Sequence, residues 1–80
     1  MDTGLKLVGR IQDISYNGFL VARGEFAPRI GSEVYAGNKP LGKIVNIYGP
    51  VSKPYLAIKP NAKGQALLEM VGKEIYLMSN

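Results

Sequence analysis

L-G-K-I-V-N-I-Y-G-P-V-S-K-P-Y-L-A-I-K-P, residues 41–60, sets two runs of Ile, Val, Leu, Tyr and Ala on either side of a short insert. Gly49 and Pro50 stop the first run, and Pro54 returns the chain to the second. The runs have strand composition, and Gly-Pro followed by a further Pro is a strong breaker signal. Connecting loops are ordinarily built from Asn, Asp, Ser and Gly, whereas this one carries Pro50, Val51, Pro54 and Tyr55. Such a loop either folds back on its own core or presents an apolar surface for docking.

Outward from this stretch, the same alternation of strand and breaker continues. Leu5 to Ile14 is rich in β-formers with Gly9 inside it, and Ser15-Tyr16-Asn17-Gly18 supplies an Asn-Gly hairpin turn, both of whose last residues tolerate positive φ. Phe19 to Arg23 is the return strand. Gly24 to Ser32 is a loop around Pro28, from which Phe26 and Ile30 are expected to fold inward as plugs. Glu33–Ala36 and Leu41–Tyr48 make a second hairpin through Gly37–Pro40, and Gly42 falls inside its strand pattern. Glycines within strands, at 9 and 42, mark bends or close backbone approach. Tyr55–Lys59 is a further strand. Ala66, Leu67, Met70 and Val71 then share one face of a short helical turn near residues 62–71, which Gly72 is placed to stop. Glu74–Met78 is a last strand able to pair with the first. No internal repeat and no low-complexity tail appears. Short strands at close intervals, broken by Gly, Pro and Asn, give an all-β fold: one domain over residues 1–80, closed as a small six-stranded β-barrel.

Composition narrows the chemistry. The chain has 80 residues, no cysteine and no histidine, so disulfides and thiolate metal sites are excluded and the commonest general base is missing. Catalysis would rest on Asp2, Asp13, Glu25, Glu33, Glu69, Glu74, lysines or hydroxyls. No two carboxylates fall close in sequence as a shared-site pair would, and no phosphate-cradling glycine motif is present. The expectation is a non-enzyme, with no catalytic residue, no metal, no cofactor and no small-molecule substrate. Without a signal-peptide core or a run of about 20 apolar residues, the chain reads as soluble, intracellular and without a membrane partner.

The net charge is +4, and all of the excess lies in residues 39–80, where six lysines face Glu69 and Glu74. Tyr35, Tyr48, Tyr55 and Tyr76 interleave with Lys43, Lys53 and Lys59, as in barrels that stack bases beside a basic groove. The competing expectation, and the favoured one, is that the rings fill the interior of a barrel that has no Trp, with hydroxyls reaching water.

The run G-K-I-V-N-I-Y-G-P-V-S-K-P-Y-L-A-I-K-P is similar to the signature G-K-h-x-D-h-h-G-P-h-x-x-P-Y-h, with h apolar, of the Gar-type core subunit of H/ACA ribonucleoproteins. Gly42, Lys43, Gly49, Pro50, Pro54 and Tyr55 fit it, while Asn46 stands where Asp is usual. R-I-Q-D-I-S-Y-N-G-F-L-V-A-R and A-P-R-I-G-S-E-V-Y resemble the family's upstream segments, so the likeness covers about Leu5 to Lys59. Glycine/arginine-rich tails of eukaryotic members are missing, which matches a minimal archaeal form, cytoplasmic where its relatives are nucleolar. The resemblance implies a translation-factor-type barrel that docks on the catalytic domain of the H/ACA pseudouridine synthase and meets guide RNA and rRNA only through the complex. There it assists substrate placement and turnover. The partner surface would comprise Ile47, Tyr48, Gly49, Pro50, Val51, Pro54 and Tyr55, with Lys43, Lys53 and Lys59 as polar-rim or RNA contacts. The alternative is a generic basic RNA-binding barrel of the PRC or ribosome-maturation type.

Overall fold

The computed structural model describes residues 4–37, 39–61 and 65–78. It contains β1 (Leu5–Ile14), β2 (Leu20–Gly24), β3 (Glu33–Ala36), β4 (Lys39–Tyr48), β5 (Tyr55–Pro60), α1 (Gln65–Leu68) and β6 (Glu74–Met78). The six strands close in the order β1-β2-β5-β4-β3-β6, every neighbouring pair antiparallel. Closure leaves no free edge to template aggregation. Residues 62–64 of the expected helical turn, and the Ala66 side chain, lie outside the described residues. The rest forms α1 and turns ending at Gly72, whose φ is +93°.

Period-2 patterning builds the core directly. In β2 and β5 alternate positions are buried, and Leu20, Ala22, Leu56 and Ile58 join Val8, Ile11, Val34, Leu41, Ile44 and Ile75 in one aliphatic cluster. Each fully buried Ile or Leu contributes about 1.5–3 kcal/mol. The expected inward tyrosines are absent from this cluster: Tyr16 and Tyr48 are exposed, and Tyr35, Tyr55 and Tyr76 are half-buried on the outer face. The barrel is so narrow that branched aliphatics fill it, and outward strand positions are the ones left for rings.

The loop plugs also differ from expectation. Phe26 packs against the core, with the Lys6 ammonium 4.6 Å above its ring, but Ile30 is 62% exposed and Pro28 is the buried residue of that loop. At the other segment Leu67 and Met70 pack inward, whereas Val71 is exposed. The first turn uses only Gly18 in the left-handed region, at φ +87°; Asn17 stays at negative φ. β2 starts at Leu20, and β4 begins two residues early and takes in Pro40.

The register reveals a repeat that has no constant period. Arg10 faces Arg23 as Lys43 faces Lys59, Ile11 faces Ala22 as Ile44 faces Ile58, and Asp13 faces Val21 as Asn46 faces Ala57. Likewise Glu74 faces Arg10 as Glu33 faces Lys43. G-R-I-Q-D-I and E-I-Y-L thus correspond to G-K-I-V-N-I and E-V-Y-A, and the barrel is two β-β-β halves about a pseudo-twofold. The amide of Gly31 donates to the Ile44 carbonyl and that of Gly72 to the Ile11 carbonyl, at 2.7 and 2.8 Å. Equivalent residues lie 33 (Gly9 to Gly42), 36 (Ala22 to Ile58) and 41 (Glu33 to Glu74) positions apart, which hides the repeat from a fixed-period search. Asn46 is explained by the same correspondence. Its Oδ1 accepts from the Ile47 amide at 2.9 Å, as Asp13 Oδ1 accepts from the Ile14 amide at 2.7 Å, just after a register shift in each strand. An amide oxygen serves as well as a carboxylate.

Gly9 and Gly42 are the matching bends. A Cβ on Gly9 would meet the Arg23 carbonyl oxygen, and one on Gly42 the Lys59 carbonyl oxygen, both well under 3.0 Å. Gly9→Ala and Gly42→Ala are each expected to cost at least about 2 kcal/mol, or roughly 10 °C in Tm. Gly4→Ala, with open space around it, should leave the thermal melt unchanged. Equal melting of all three would contradict this closure.

Candidate functional site

The two hairpins of the repeat differ where they turn. In the first, Ser15 and Phe19 close the ladder, the Ser15 amide donating to the Phe19 carbonyl at 2.8 Å, and Tyr16–Gly18 suffice to reverse the chain. In the second, Tyr48 and Tyr55 occupy the matching pair and the longer Gly49–Pro54 loop is inserted between them. The insertion is an addition that barrel closure does not require.

Its base is fixed by several contacts. Gly49 has φ +89°, and a Cβ there would stand 2.9 Å from Tyr55 Cδ2, so both backbone and neighbour select glycine. The Tyr48 and Tyr55 rings stack at 5.7 Å and 23°. The Arg23 guanidinium lies 4.6 Å over the Tyr55 ring. Arg23 Nε donates to the Lys53 carbonyl at 2.8 Å, and Nη1 to the Tyr55 hydroxyl at 2.9 Å. Pro54 is buried, and its carbonyl accepts from the Gly24 amide at 2.7 Å. Lys53 Nζ meets Glu25 Oε1 at 3.2 Å, an exposed pair worth about 0–1 kcal/mol.

Above this base the tip is open. Gly49, Pro50, Ser52 and Lys53 are exposed, and Val51 is 90% exposed. The loop is therefore not a plug over the barrel end. Among the residues singled out from sequence, Tyr48, Gly49, Pro50, Val51, Lys53 and Tyr55 come together. Pro54 supports the loop from beneath rather than presenting itself, and Ile47 is half-buried against the core. Lys43 and Lys59 are exposed and face each other, but Lys59 is four residues along β5 from Tyr55, roughly 13 Å away. They are not part of the loop's rim. Sequence reasoning missed Arg23 and Glu25, because only the β2–β5 register, which pairs Arg23 with Tyr55, brings them to the loop.

Elsewhere, an open groove of about 570 Å³ runs between the β3–β4 hairpin and the turn and strand that follow α1, with Lys39, Glu69, Lys73 and Tyr76 among its lining. Glu74 accepts from the Tyr76 hydroxyl at 3.1 Å and pairs with Arg10 at 3.3 Å. That hydrogen bond and the carboxylate charge hold the Tyr76 hydroxyl above the usual tyrosine range.

These features define a small closed barrel carrying one anchored, apolar-tipped loop. Over 76 residues, 91% of this chain and 83% of the relative, the sequence is 30% identical to an uncharacterized protein of Methanothermobacter thermautotrophicus. The chain belongs to the same family as that protein. It is also 56% identical over 43 residues to an uncharacterized protein of Methanocaldococcus jannaschii, a match over 54% of this chain and about half (53%) of that relative. No family model matches the chain.

Gly18→Ala and Gly49→Ala separate backbone strain from the packing of Tyr55. Both place a Cβ at positive φ, at about 1–2 kcal/mol, but Gly18 has open space and Gly49 does not. Urea unfolding should show the larger loss for Gly49→Ala. For Tyr76, Glu74→Gln should lower the hydroxyl pKa toward the ordinary value in an NMR titration, since it removes the charge that disfavours phenolate.

Proposed function

We propose that this chain is a non-catalytic docking subunit of an archaeal H/ACA guide-RNA pseudouridylation particle. In this reading the 49–54 loop seats on the catalytic domain of the pseudouridine synthase, and the subunit assists placement and turnover of the rRNA substrate. The carrying observation is the exposed Val51, held at the tip of a loop whose base is fixed by Arg23, Gly49, Pro54 and Tyr55. An apolar side chain standing in water on a constrained loop loses little entropy on binding and gains its burial. The signature shared with the Gar-type subunit falls on this same loop, and the absence of His and Cys from the sequence suits a subunit whose partner does the chemistry.

A second reading, a generic basic RNA-binding barrel, draws on the outward placement of the tyrosines and the facing lysines 43 and 59. It requires affinity of the isolated chain for RNA that falls steeply with salt.

Gel filtration of the chain with an H/ACA pseudouridine synthase should give a complex. Val51→Glu should weaken it at least about a hundredfold, since it buries an unpaired charge, while leaving the thermal melt unchanged. No complex, together with salt-dependent RNA binding by the chain alone, would turn the assignment to the second reading.

A further inference from the structure

The anchor of the loop departs from its counterpart in the other half of the barrel. Arg23 corresponds to Lys59, and Tyr55 to Phe19. At that matching place, therefore, the chain offers an ammonium and a ring without a hydroxyl, beside a turn short enough to need no support. Of these two matching places, the one under the inserted loop is the one that has both the planar fork and the phenolic oxygen. Arg23 spends its guanidinium there, on the Lys53 carbonyl, the Tyr55 hydroxyl and the Tyr55 ring face. It is half-buried, with no carboxylate as its partner among the described residues, so its charge is not used in an ion pair.

We propose that Arg23 is a positioning residue for docking: it holds Val51–Lys53 in the shape that the partner accepts, without itself touching the partner. The proposal rests on the docking reading. The connection from Gly49 to Pro54 has fixed points at Gly49 and Pro54, and Arg23 extends the second of these by one residue, gripping the carbonyl of Lys53 at the foot of the Val51–Ser52 tip. A lysine cannot replace it, because an ammonium lacks the fork that reaches a carbonyl and a hydroxyl at once. Without that grip the apolar tip samples several shapes, and ordering it again is a cost charged to binding.

Arg23→Leu, Arg23→Lys and Tyr55→Phe in the full chain supply the test. Backbone order parameters of residues 51–53 should fall from about 0.8 in the wild type to below about 0.6 in both Arg23 variants, with strand values unchanged. Affinity for the synthase should drop roughly tenfold, Arg23→Lys failing to rescue it. Tyr55→Phe, which keeps the ring and loses one of the bonds, should lie between and remains informative if Arg23→Leu fails to fold. Unchanged order parameters in the Arg23 variants would overturn the proposal, as would a loosened loop that binds with wild-type affinity. A wild-type chain that forms no complex would overturn the docking reading and the proposal's binding half with it, and the order parameters would still show whether Arg23 holds the loop.

Discussion

The structure depends on two places where one strand crosses another with no room for a side chain. Gly9 rests on the carbonyl of Arg23, and Gly42 on the carbonyl of Lys59. A sheet of six short strands has to bend sharply to close on itself, and sharp bends bring backbones together. Once the crossings are in place, the interior is too narrow for aromatic rings, and the core is left to Val, Leu, Ile and Ala. The tyrosine rings are pushed to the outer face, and Phe26, from the β2–β3 loop, lies against the core from outside it, as do Leu67 and Met70.

The pseudo-twofold clarifies which parts of the chain serve closure and which are additions. Bends, core isoleucines, facing cations and left-handed glycines before β3 and β6 recur in both halves. Two segments do not: the Gly49–Pro54 loop and the α1-bearing connection between β5 and β6 are both longer than their counterparts. The second addition covers a barrel end with Leu67 and Met70 and so has a packing role. The first turns its apolar residue outward. Symmetry thereby isolates the loop as the feature whose composition folding does not explain.

What gives the loop a defined shape is a set of unlike interactions converging at its base. A left-handed glycine, a buried proline, a stacked tyrosine pair and an arginine fork each remove one freedom. Individually these are small, with aromatic stacking worth about 0.5–1.5 kcal/mol and a hydrogen bond of similar size. Their combined effect falls on a short stretch of chain, and it matters more for the entropy of binding than for the stability of the barrel.

Much of the fold was legible in the residues alone. Strand composition, breakers at Gly18, Gly37 and Gly49, and interior glycines dictated a small closed β-barrel, because backbone preference and period-2 burial act locally. The loop's apolar oddity was legible for the same reason. The repeat was not: unequal insertions shift its halves out of step, and only paired registers restore the correspondence. Nor could sequence say whether Ile30, Val51 and the tyrosines face inward, since that depends on how much volume the closed barrel leaves. Arg23 lies thirty residues from Lys53 in the chain and meets it only because β2 pairs with β5. Local chemistry chose the strands and the loop, while interior volume and long-range register decided what the loop presents and what holds it.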